Sequence, residues 1–96
     1  MPSPATTAAP VERSATAAFF VHARAEPGVM PRLLELFAKR GLVPTLWRSV
    51  SSHDDRDLSI EIEMRGLAGA MTDYIAACMR QIVGVDVVLS STKNGG

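Results

Sequence analysis

Few side chains in this chain can do chemistry, and the stretch best placed for it is a turn. Ala25-Glu26-Pro27-Gly28-Val29-Met30 leaves an apolar strand, reverses at Pro27-Gly28 and enters a helix. Pro27 presets φ and Gly28 can supply positive φ, so the reversal is tight and the first amides of the helix point outward. Unpaired N–H groups at a helix start suit a carboxylate. The same residues also make an ordinary turn that binds nothing.

The remaining candidates are weaker. His22 and His53 are separate, with no nearby cysteine and no two-histidine helical spacing, so no metal site is expected. His53 with Asp54, Asp55 and Asp57 lacks the glycine and distal glutamate of a calcium loop and reads as a solvated hairpin turn. Gly-x-Ser-x-Gly and a Walker-type loop are both missing, so no catalytic residue is assigned and no cofactor is implied. Arg24 near Glu61, or His22 near Glu63, would make an acid–base pair on an open sheet face, and would equally make an exposed salt bridge. Cys78 is the single cysteine, which excludes an internal disulfide and a thiolate zinc cage and fits a reducing cytoplasm. Its place amid Tyr74, Ile75 and Ile82 points to packing.

Ninety-six residues make one small domain, whose modest core a partner surface would help to stabilise, so a homo-oligomer is expected. Ten Lys and Arg balance ten Asp and Glu, which gives no field to recruit nucleic acid or an anionic membrane. The first residues lack a basic n-region and an apolar h-region, and no apolar run approaches about 18 residues, so a cytoplasmic location is expected.

The elements that must position the turn follow from periodicity. Residues 1–15 are rich in Ala, Pro, Thr and Ser without apolar periodicity and are expected to form a disordered tail; residues 92–96 are expected to fray. Between them, about 16–91, Thr16 to Arg24 reads as a strand with Phe19, Val21 and Ala23 on one face and Phe20, His22 and Arg24 on the other. Met30, Leu33, Leu34 and Phe37 then make a helical stripe, Pro31 sits in its first turn, and Gly41 stops it. Thr45 to Ser51 forms a second strand, and Leu58, Ile60, Ile62 and Met64 alternate with Ser59, Glu61, Glu63 and Arg65 in a third. Leu67, Met71, Tyr74, Ile75, Cys78 and Ile82 fall on one helical face ending at Gly84, and Val85 to Ser90 is the fourth strand.

The order βαββαβ predicts an α+β, ferredoxin-like sandwich: a four-stranded antiparallel sheet, strands one and three central, with two helices on one face. The helix-facing set is then Phe19, Val21, Leu58, Ile60, Ile62, Met64, Val85, Val87 and Leu89. Phe20, on the open face, and Trp47, in a strand placed at the sheet edge, are candidate interface anchors; core closure at the sheet margin is the other reading of Trp47. Open strand edges favour pairing between copies.

Set in that topology, three segments together resemble an ACT domain: Phe19-Phe20-Val21-His22-Ala23, the Glu26-Pro27-Gly28-Val29-Met30 turn, and Leu36-Phe37-Ala38-Lys39-Arg40-Gly41. The resemblance covers about residues 17–91 and is nearest to acetolactate synthase small subunits, where the spacing from turn glycine to Arg-Gly is similar. It implies a non-catalytic regulatory domain that pairs with a second copy, binds an amino acid between the two, and acts on the catalytic subunit of a biosynthetic enzyme. The resemblance places the ligand at the amides of Glu26, Pro27, Gly28, Val29 and Met30, and at a polar residue, often asparagine, just after the helix. Here Val43 and Pro44 stand where the family's Asn and Ile would lie, which removes a side-chain hydrogen bond and makes that wall apolar. The alternative is a ligand-free protein-interaction module of the same fold.

Overall fold

Strict alternation in the first strand sets the layout. The computed structural model describes residues 15–94. In β1 (Ala15–Arg24), Ala15, Ala17, Phe19, Val21 and Ala23 are buried, and the residues between them face the other way. In β3 (Asp57–Arg65), Leu58, Ile60 and Ile62 do the same. With β2 (Leu46–Ser51) and β4 (Val85–Asn94) these form one sheet of order β2-β3-β1-β4, with every neighbouring pair antiparallel. The inward residues meet Val29, Leu33 and Phe37 of α1 (Val29–Ala38) and Ile75, Ala76 and Met79 of α2 (Gly69–Arg80) in a single core. The fold is thus the expected ferredoxin-like βαββαβ sandwich.

Helix α1 ends as its sequence predicts. Gly41 takes φ +68°, the Leu42 N–H donates to the Phe37 carbonyl at 2.9 Å, and the Arg40 guanidinium donates to the Leu36 carbonyl at 2.7 Å. The guanidinium also lies 5.0 Å from the centre of the Tyr74 ring, joining the end of α1 to α2.

The strands differ from expectation in three places. Residues 1–14 of the expected tail lie outside the described residues, but Ala15 is already in β1, paired with Asn94. Residues 92–94, expected to fray, are ladder residues, because the first half of β1 supplies partners for backbone groups whatever the side chains are. Residues 95–96 lie outside the described residues. In β4 the alternation slips: Ala23 opposes Val85 while His22 opposes Val87, so Asp86 is an extra residue in a β-bulge. Val88 is therefore the buried residue, and Val87 and Leu89, expected against the helices, are exposed on the open face.

The helical stripes are also displaced. Helix α2 buries Thr72, Ile75, Ala76 and Met79, while Met71 and Tyr74 are exposed and Cys78 is half-buried. Thr72 can be buried because its hydroxyl donates to the Ala68 carbonyl at 3.0 Å, and Tyr74 is turned instead to Arg40. In α1, Val29 joins Leu33 and Phe37 in the core, and Leu34 is exposed.

The hairpin between β2 and β3 is a polar turn, as its composition predicts. The Ser52 hydroxyl donates to Asp54 Oδ1 at 2.7 Å, and the Arg56 N–H donates to the same oxygen at 3.2 Å. These bonds, Ser52 first, hold the Asp54 carboxyl below its ordinary range. A lowered folded value means stabilisation that is present above the unfolded carboxylate range and lost as pH falls through the lowered value. We expect Asp54→Ala to narrow the difference in melting temperature between neutral and acid solution.

Candidate functional site

The turn from β1 into α1 is held by a short series of backbone bonds. The Arg24 N–H donates to the Gly84 carbonyl at 2.7 Å and the Ala25 N–H to the Arg56 carbonyl at 2.8 Å, tying the strand exit to two other loops. The Glu26 N–H donates to Arg24, and the Val29 N–H donates to the Glu26 carbonyl at 3.1 Å. Pro27 and Pro31 have no N–H, and Arg32 donates to the Gly28 carbonyl at 3.4 Å. Among the described residues, the amides of Gly28 and Met30 are the ones at the helix start without a backbone acceptor.

Gly28 differs from expectation. Its φ of −80° and ψ of −11° are ordinary right-handed helical values, so it supplies no positive φ. Glycine matters there for space, since a Cβ would meet the guanidinium of Arg32, which folds over the turn one helical turn later. Arg32 was not among the residues singled out in the sequence. Its position four residues after the glycine is the signal that would have marked it. The site thus offers two amides and a guanidinium to an anion.

Glu26 and Pro27 are exposed at the turn, Val29 is buried beneath it, and Met30 is half-buried against the core. The Glu26 carboxylate lies 3.9 Å from Arg24 Nε. Val43, 77% exposed, and half-buried Pro44 follow the other end of α1. A ten-residue helix is about 15 Å long, so one copy of the chain keeps these two residues well away from the turn.

The open sheet face carries the other candidates, arranged by register. Phe20 opposes Glu61 and Leu89, His22 opposes Ser59 and Val87, and Arg24 opposes Asp57. Neither expected acid–base pairing forms. Arg48 Nη1 of β2 reaches Glu61 Oε1 at 3.0 Å, and His22 Nδ1 lies 3.3 Å from Asp86 Oδ2. Phe20, 47% exposed, joins Val50, Val87 and Leu89 in the floor and walls of a shallow groove of about 390 Å³, with His22, Arg48, Ser59 and Glu61 among its polar lining. Trp47 opposes Ile62 and packs on the core from the helix side, so the two expected interface aromatics lie on different faces.

Among the described residues, no helix is long and apolar enough to cross a membrane. No curated protein matches the chain. Solved structures do. The ACT domain of GTP pyrophosphokinase from Chlorobium tepidum is 10% identical, with a TM-score of 0.68 over 79% of this chain and 96% of that one. The C-terminal domain of the MgtC protein from Mycobacterium tuberculosis is 18% identical, with a TM-score of 0.66 over 86% of this chain and 92% of that one. A formyltetrahydrofolate deformylase from Pseudomonas putida is 12% identical, with a TM-score of 0.59 over 81% of this chain but 28% of that one. At these identities the likeness is one of fold. The sequence profile of ACT-like domains, however, matches residues 10–94. Profile and strand order agree, and the chain belongs to the ACT-like domain family.

Proposed function

We infer that this ACT-like domain is a non-catalytic regulatory module that binds a small carboxylate metabolite, an amino acid first, between two copies of itself. The observation that carries this reading is the pair of amides without backbone acceptors, Gly28 and Met30, beside the Arg32 guanidinium. Guanidinium and amide donors together recognise a carboxylate. The half of the site formed by Val43 and Pro44 is remote within one chain, so a second copy must supply it, and its apolar wall selects a ligand with an apolar side chain. Ligand binding would tighten the pair and change the surface shown to a partner enzyme, by the difference in its affinity for the two states. The family resemblance makes the catalytic subunit of acetolactate synthase the first partner to test.

The test is thermal stability of the chain, its Gly28→Val variant and its Arg32→Ala variant against the amino acids and common keto acids. A ligand at ten times its Kd adds about 1.4 kcal/mol, which raises the melting temperature of a domain this size by roughly 5–10 °C. Gly28→Val is compatible with the helical φ and displaces only the flexible end of Arg32, so it folds and loses the shift. A shift retained in both variants moves the ligand elsewhere. A flat screen favours the second reading, a ligand-free protein-interaction module, which the exposed strip of Phe20, Val87 and Leu89 supports.

A further inference from the structure

We propose that His22, Asp57 and Asp86 bind a divalent first-row transition ion of the zinc class at one end of the open sheet face. The three residues come from three adjacent strands, β1, β3 and β4, and one donor atom of each lies within 4.8 Å of the others. His22 Nδ1 and Asp86 Oδ2 are already 3.3 Å apart. Tetrahedral zinc with bonds of about 2.0–2.1 Å to nitrogen and oxygen sets neighbouring donors roughly 3.3 Å apart, so this pair has the spacing of two ligands on one ion. The Asp57 carboxylate, the third donor, lies within 4.8 Å of both.

The bulge in β4 is what makes the cluster. A regular strand would point residues 86 and 87 to opposite faces, whereas here both are exposed across from His22. Bulges re-aim side chains in this way and interrupt the ladder locally. The result sets two carboxylates beside one imidazole, and Arg24, the cross-strand partner of Asp57, has its Nε 3.9 Å from the Glu26 carboxylate. A dication neutralises that excess. An imidazole nitrogen with two carboxylates suits a borderline ion, whereas calcium asks for six to eight oxygens. His22 and Asp86 have side chains 47% exposed, which leaves the remaining coordination positions to water. The inference is independent of the ligand reading of the β1–α1 turn.

The experiment is calorimetric titration of the full chain with zinc chloride, with His22→Gln, Asp86→Asn and His53→Gln run alongside. In parallel, manganese is added to the isotope-labelled wild-type chain and amide signals are followed. The expected result is one ion per chain. Binding should weaken in His22→Gln and Asp86→Asn by at least the roughly ten- to hundredfold that losing a supporting group costs at metal sites. It should be unchanged in His53→Gln, whose histidine is on the hairpin turn that Asp57 closes but outside the donor cluster, and manganese should broaden Ser59 and Val87 first. Gly28→Val should bind zinc as the wild type does. Absence of both heat and broadening in the wild type overturns the site. So does loss of binding in His53→Gln with retention in His22→Gln.

Discussion

Replacing Phe37 with alanine should remove about 3–5 kcal/mol of stability. Phe37 is fully buried and stands edge-on to Phe19, with ring centroids 5.9 Å apart and planes at 77°. One ring comes from the last turn of α1 and the other from the centre of β1, so this contact fixes the helix to the sheet. Edge-to-face geometry adds about 0.5–1.5 kcal/mol to the burial itself. A domain this small has a total of roughly 5–15 kcal/mol, so the loss is a large share of it. Urea unfolding with an unchanged slope is the measurement. A loss under about 1 kcal/mol would mean that the neighbouring core collapses into the space and that the pair is not the anchor.

The second large effect is expected at Gly84. Its φ of +99° disfavours any side chain, and a Cβ there would lie 3.1 Å from Val29 Cγ2 and 3.1 Å from Glu26 Oε1. Gly84→Ala therefore combines backbone strain of about 1–2 kcal/mol with crowding of a buried valine. Gly41→Ala is the control, since its φ is +68° but nothing lies within 4 Å of the added methyl. The excess loss at residue 84 measures the crowding. Because the methyl added at residue 84 would press on both Glu26 and Val29, amide signals of Gly28 and Met30 should move in Gly84→Ala and stay in place in Gly41→Ala. Equal losses in the two variants would show that only the backbone angle matters.

Much of the fold was legible because the relevant forces are local. Leu58 to Met64 could be read as a strand since alternation needs no knowledge of neighbours, and Gly41 could be read as a helix stop from its own backbone freedom. The errors arose where a neighbour decides. A single extra residue at Asp86 reversed the faces of Val87 and Leu89, and nothing in the local composition announces a bulge. Helix α2 buries Thr72 and Ala76 in place of Met71 and Tyr74, because small residues let it sit close to the sheet and Tyr74 has Arg40 to cover. The turn at Pro27-Gly28 was found, but its cation was not. Arg32 is drawn over Gly28 by helical geometry that a strand-and-turn reading does not follow through. The meeting of His22 with Asp86 depends on strand register across 64 residues of chain, the difference between positions 86 and 22, and periodicity carries no such information.

The bulge in β4 also bears on how this domain behaves when concentrated. An outer strand with a regular row of free amides and carbonyls is a template for uncontrolled stacking of sheets into aggregates. β4 is ten residues long and outermost, so it is the strand most exposed to that hazard. Asp86 breaks its pleat and adds a negative charge near one end, while Lys93 adds a positive charge toward the other. The opposite margin, β2, is only six residues long and carries Arg48 among serines. Both rims of the sheet are thus blunted against fibre growth, and the irregularity in β4 serves solubility whatever else it serves.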